Sequence, residues 1–246
     1  MSDGPVSQPV SQPVSQPVGQ AGGQGSAKRG RLAARPLQAP GRAAMAPGCH
    51  PLGLGGRRDG LLRIPDAPDD AALPLVVMLH GAGGHAAGTL PLIEGVAGRA
   101  LVLVPESRGP TWDVILGGYG PDVTFLDEAL RAVFQRHRVD PARIALAGFS
   151  DGASYALSLA LANGDLFTHA LAFSPGFAAP PEAVGRPRIF VSHGVEDDVL
   201  PIGRCRRRLV PNLQAAGYDV RYREFSGGHS VPEELAAEAI GLLAGP

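Results

Sequence analysis

Ile144-Ala145-Leu146-Ala147-Gly148-Phe149-Ser150-Asp151-Gly152-Ala153 is the stretch that decides the fold. It opens with a short apolar run, and Ala153 to Ala162, rich in small residues, is suited to a helix packed closely on a sheet. The serine between them falls at a sharp strand-to-helix turn. Glycines two before and two after allow the neighbouring backbones to pass without a clash. Such a turn projects a hydroxyl from the end of a strand, where it can attack a carbonyl. In a chain with 34 glycines the pentapeptide alone is weak. Its place between an apolar run and a helix gives it weight.

Similar apolar runs lie on both sides. Leu75 to Leu79, Ala100 to Val104, Arg143 to Ala147, His169 to Phe173, Arg188 to Ser192 and Val220 to Phe225 read as strands buried on both faces. Helices are predicted over 122–137, with Val123, Leu126, Leu130 and Val133 on one side, and over 153–162, 202–216 and 232–244. Gly217 closes the third of these. Repeated βα units with right-handed crossovers give an α/β fold, a mostly parallel sheet with helices on both faces. Leu61 to Ile64 adds a leading antiparallel strand. Residues 46–246 form one domain, a comfortable length for this architecture.

Residues 1–45 read differently. Val6-Ser7-Gln8-Pro9 recurs twice more, and a four-residue proline repeat can neither complete helix or ladder hydrogen bonds nor bury a face. Gly, Gln, Ala and Arg continue to about residue 45, so the segment is expected to be a disordered low-complexity tail, with Met45 an alternative start. The tail carries +4 and the remainder −5, for a net charge of −1. That balance offers no general attraction to nucleic acid or to anionic membrane. Cys49 and Cys205 stand far apart, outside any metal-ligand spacing. No run approaches the ~18 apolar residues of a membrane span, and no secretory signal is visible, so a cytoplasmic location is expected.

Three further motifs each follow a predicted strand. His80-Gly81-Ala82-Gly83-Gly84 lets backbone amides approach a ligand closely. The amides of Ala82 and Asp151 are the expected donors to an oxyanion, and His80 itself is expected to be structural. His193-Gly194-Val195-Glu196-Asp197-Asp198 places carboxylates just past a strand, and the residues themselves leave Asp197, Asp198 and Glu196 open as the one that orients an imidazole. Gly227-Gly228-His229 follows the last strand, where a flexible glycine pair can carry the ring over Ser150. The order serine, acid, histidine is one of three unrelated orders in which this chemistry occurs.

From about residue 55 to 243 the chain resembles bacterial esterases of the phospholipase/carboxylesterase and polyhydroxyalkanoate-depolymerase-like groups. The shared motifs are His80-Gly81-Ala82-Gly83, Gly148 to Gly152, His193-Gly194 with Asp197 and Pro201, and Gly228-His229. The resemblance implies an α/β-hydrolase in which Ser150 is nucleophile and His229 its base. The acid would be the third residue after His-Gly, which selects Asp197. Trp112-Asp113 and Phe173-Ser174-Pro175-Gly176 resemble pocket segments, so Trp112, Pro175 and Phe149 are candidates for the pocket wall. A small-molecule ester is the implied substrate, with no cofactor or metal required. A thioesterase or peptide hydrolase using the same residues, and a catalytically silent binding module, are the alternatives. The Arg204 to Arg208 run reads as a solvated face or a docking patch for acidic groups. Neighbouring cations would favour a lowered Cys205 thiol pKa. The oligomeric state is left open.

Overall fold

The computed structural model describes residues 25–68 and 70–244. Eight strands form one sheet: β1 (Gly48–Pro51), β2 (Gly60–Ile64), β3 (Leu73–Leu79), β4 (Leu101–Pro105), β5 (Val139–Phe149), β6 (His169–Phe173), β7 (Arg188–Gly194) and β8 (Val220–Phe225). Their order is β1-β2-β4-β3-β5-β6-β7-β8. The β1–β2 and β2–β4 pairs are antiparallel, and every later neighbour is parallel. The chain is thus an α/β protein of the architecture the apolar runs predict, with β2 as the leading antiparallel strand.

Burial on both faces explains why β3 and β4 are apolar throughout. Leu75, Val77 and Leu79 join one core with Leu101 and Leu103, while Val76 and Met78 join the other with Val102 and Val104. The first core is covered by α3 (Pro121–Phe134), α4 (Asp151–Ala162) and α5 (Val210–Ala215). Val123, Leu126, Leu130 and Val133 of α3 all face it, at the predicted spacing. The second core is covered by α6 (Glu233–Gly241) and by Ala86 of the short α1 (Ala86–Thr89), with Leu90 and Ile93 beyond it. A further short helix, α2 (Asp113–Leu116), leads into α3.

The boundary of the expected tail needs correction. Its proline repeat lies outside the described residues, but residues 26–35 pack on the domain. Ala27, Leu32 and Ala34 are buried in the first core. Asn163, at the end of α4, accepts from Leu32 N at 2.9 Å and donates to Gly30 O at 2.7 Å. Asp127 of α3 accepts from the amides of Ala33 and Ala34, both at 2.7 Å. Arg31 and Arg35 both pair with Asp165. The composition is tail-like, yet the strap is held by side chains of Asp127, Asn163 and Asp165, all more than 90 residues away in sequence.

Two smaller departures concern elements at the sheet's margins. Strand β1, rich in Gly and Pro, exists because β2 offers it a free edge. The helix predicted from 202 begins with a π-helical turn, Cys205–Leu209, before α5. Among the described residues no helix is long and apolar enough to cross a membrane.

Candidate active site

The parallel strands deliver four loops to one edge of the sheet. Ser150 occupies the turn between β5 and α4 with φ 59° and ψ −122°, a left-handed conformation that costs a non-glycine residue energy. Its amide donates to Phe173 O of the neighbouring strand at 2.9 Å, which holds the strained turn in place. The flanking glycines are required by close approach. A Cβ on Gly148 would strike Gly152 O, and one on Gly152 would strike the carbonyls of Leu79 and His80.

The Ser150 hydroxyl lies 2.8 Å from His229 Nε2. On the far side of the ring, His229 Nδ1 lies 2.7 Å from Asp197 Oδ2. Backbone bonds knit the two donor loops together: Glu196 N donates to Gly227 O at 3.0 Å. Asp197 Oδ1 accepts from the amides of Val199 and Leu200, at 3.0 and 2.8 Å. Burial works to raise the Asp197 pKa, but the His229 and Leu200 hydrogen bonds and the nearby histidines together hold it below the usual carboxylate value. Asp198 and Glu196 are exposed. The geometry therefore separates three acids that the residue types alone leave equivalent. A hydroxyl, an imidazole and a buried carboxylate in this chain can move a proton off the serine and stabilise the resulting imidazolium.

His193 also reaches this carboxylate. It is buried, with Nε2 2.6 Å from Leu200 O and 3.2 Å from Asp197 Oδ2. Sequence reasoning used His193 only as a motif marker.

The loop after β3 borders the serine closely; a Cβ on Gly81 would sit 3.3 Å from the Ser150 Cβ. Gly83 N donates to Pro110 O at 2.7 Å and Gly84 N to Gly81 O at 3.0 Å. Neither bond uses Ala82 N. Asp151 N opens α4, where the first amides have no intrahelical acceptor. The Asp151 side chain is tied sideways, accepting from Thr111 Oγ1 at 2.7 Å.

His80 is fully buried and anchors this loop, as its structural reading anticipates. Its Nε2 accepts from Ser107 N at 3.0 Å, so Nδ1 carries the hydrogen and donates to Gly81 O at 2.7 Å. Burial, with help from Arg58, lowers its pKa and keeps the ring neutral. Arg58 also donates to Ser107 O and Gly84 O, at 2.6 and 2.7 Å. Arg58, Ser107 and Thr111 carry no motif, and only their tertiary contacts reveal them.

Of the three candidates for the pocket wall, Trp112 is corrected. It is fully buried, donates from Nε1 to His80 O at 2.8 Å, and stacks on Tyr155 with ring centres 5.2 Å apart. It supports the His80 loop from behind. Phe149 is half-buried, its ring 4.7 Å from that of His229. Pro175 lines a cavity of about 190 Å³ with Gly176, Val199, Leu200, Pro201 and Arg204. Larger cavities, about 410 and 650 Å³, lie away from the serine, one against α6 and one beside α5. The Cys205 expectation is also overturned: the thiol is buried, which pushes its pKa up to about 12, while the flanking arginine side chains are exposed. Among the described residues, no group of three or more His, Cys, Asp or Glu side chains is placed to hold a metal ion.

The fold is that of the α/β-hydrolases. Residues 123–243 match the phospholipase/carboxylesterase family, a stretch that runs from α3 to the C-terminal turn and includes Ser150, Asp197 and His229. Among solved structures, esterase PE8 is 25% identical with a TM-score of 0.61, over 75% of this chain and 97% of that one. The fluorophosphonate-binding serine hydrolase FphF of Staphylococcus aureus shares the fold at 14% identity and a TM-score of 0.65, over 82% of this chain and all of that one. A phospholipase/carboxylesterase from Dyadobacter fermentans shares it at 20% identity and a TM-score of 0.56, over 83% and all. No curated protein matches the sequence.

Proposed function

We propose that this hydrolase is a serine esterase that cleaves carboxylic esters through an acyl-enzyme intermediate. The observation that carries the reading is the chain Ser150 Oγ, His229 Nε2, His229 Nδ1, Asp197 Oδ2, linked at 2.8 and 2.7 Å. His229 takes the proton from Ser150 as Oγ bonds to the ester carbonyl carbon. The carbonyl oxygen becomes an oxyanion facing the amides of Ala82 and Asp151, the second of which has the helix dipole of α4 behind it. Collapse breaks the bond to the alcohol oxygen, which leaves with the proton held on His229. Water then gives a proton to the same ring and attacks the acyl group, and Ser150 recovers its hydrogen on release of the acid. Asp197 keeps the ring in the tautomer that accepts at Nε2 and stabilises it when charged.

The substrate side is assigned to the loop after β7, beside a small cavity lined mostly by apolar residues. Val195 and Val199, two of the few exposed large apolar side chains among the described residues, stand on the loop after β7. A cavity of about 190 Å³ there suits a short acyl or alcohol group. The test is hydrolysis of p-nitrophenyl acetate and butyrate by the full chain and by Ser150→Ala. The variant should retain its thermal transition and lose ~10⁴–10⁶ in kcat. Equal turnover by both proteins would remove Ser150 from the reaction.

A further inference from the structure

We propose that the cavity beside the loop after β7 binds an anionic group of the substrate, a carboxylate on a short apolar stem, with Arg204 as the counter-charge. The proposal rests on the esterase reading and narrows its substrate class. One wall of the cavity is bonded to Asp197 directly, and another is linked to Ser150 through Ser154. Gly176 N donates to Ser154 Oγ at 2.9 Å, and Ser154 Oγ in turn donates to Ser150 O at 3.3 Å. Leu200 N donates to Asp197, and Leu200 O accepts from His193. The Gly176 wall therefore meets α4 at Ser154, one helical turn along from Ser150.

The lining has a single charge. Pro175, Gly176, Val199, Leu200 and Pro201 are apolar, and Arg204 alone can meet an ion. Arg204 is exposed and, among the described residues, forms no ion pair, whereas Arg206 in the same run pairs with Glu224 at 3.3 Å. Asp198 and Glu196, the acids in the preceding loop, are exposed and unpaired with it. Immediately after Arg204 comes the π-helical turn Cys205–Leu209, whose inner side is fastened by buried Cys205 and Leu209. Such turns are rare and recur at functional sites. An apolar wall ending in one uncompensated guanidinium matches a hydrocarbon stem that ends in a carboxylate, which a guanidinium can engage with two parallel hydrogen bonds. The cavity is small, about 190 Å³. That limits the stem to a few carbons.

Two pairs of esters test this and show which half of the substrate carries the charge. The acyl pair is mono-p-nitrophenyl glutarate against p-nitrophenyl butyrate. The alcohol pair is 4-(butyryloxy)benzoate against its methyl ester. In one pair the wild-type ratio of kcat/KM, anionic over neutral, should fall about threefold to fivefold in Arg204→Gln, the weight of one charge pair at an exposed site. Arg204→Lys should keep part of the ratio, and Arg207→Gln should leave it unchanged. The proposal is overturned if Arg204→Gln alters neither ratio, or if Arg207→Gln lowers it equally, which would indicate general attraction to the arginine run. If wild-type protein cleaves none of the four esters, the esterase reading fails, and calorimetric titration of the folded protein with glutarate decides the cavity. Binding that is lost in Arg204→Gln then supports the anion site; absence of binding, or binding indifferent to the substitution, sinks it.

Discussion

Asn163→Ala should destabilise the protein far more than a substitution at a helix end normally does. Asn163 has no exposed surface and three side-chain hydrogen bonds, two of them to the strap at Gly30 and Leu32 and one to Leu159 O within α4. Alanine leaves Leu32 N and Gly30 O without partners in a buried setting, at about 1–3 kcal/mol each. The sum, roughly 2–6 kcal/mol, corresponds to a fall in Tm of roughly 4–24 °C at this chain length. Urea unfolding and thermal melts followed by far-UV circular dichroism read both quantities. A version lacking residues 1–36 completes a double-mutant cycle. Without the strap, Asn163→Ala removes only the bond to Leu159 O and should cost about 1 kcal/mol. The difference between the two backgrounds measures the docking of residues 26–35. An equal cost in both backgrounds, or a fall in Tm of under about 2 °C in the full chain, would refute the claim that the strap belongs to the domain. The same truncation shows what a chain starting at Met45 would lose.

Two further outcomes follow from buried groups around the site. Trp112→Phe keeps the stacking on Tyr155 but orphans His80 O, so Tm should drop by about 2–12 °C, the effect of 1–3 kcal/mol. Ester hydrolysis should lose kcat more than KM as the Gly81–Ala82 loop shifts, and a melt and kinetics indistinguishable from wild type would contradict this. Asp122 is almost fully buried, and burial pushes its pKa up to about 6, offset in part by the amides of Arg108 and Asp113. A carboxyl raised in the folded state favours folding most below its unfolded pKa, and that contribution is lost as pH rises through about 6. The Tm of wild type relative to Asp122→Asn should therefore rise as pH is lowered from about 7.5 to about 5; a constant difference would show that Asp122 does not titrate there.

Much of the sheet was legible because its strands are buried on both faces. The runs at 75–79, 101–104 and 170–173 are apolar and buried, and they fall where periodicity places them. Strand β8 lies where expected but is an edge strand with no buried residue, so its reading as a strand buried on both faces is corrected. The closeness of Ser150 and His229 follows from topology: each sits just past a strand, and a parallel sheet brings those ends together. Choosing among Glu196, Asp197 and Asp198 needed either the family pattern or the geometry, since a loop's residue types do not reveal which side chain turns inward. The strap was hidden because its partners, Asn163, Asp127 and Asp165, are remote in sequence. Trp112 was misread for a similar reason. A tryptophan near a site can line the pocket or support it, and only the hydrogen bond to His80 O distinguishes the two. For Cys205, the arginines beside it in sequence point outward, so their charge never reaches the thiol and burial decides its pKa.

The central claim is that Ser150 is an activated nucleophile. Its most direct test is labelling of the folded protein with a fluorophosphonate, followed by peptide mass mapping. The adduct should map to Ser150 in wild type and be strongly reduced in a His229→Ala variant that still melts cooperatively. Labelling at another residue, or none at Ser150 in protein shown to be folded, would contradict the account.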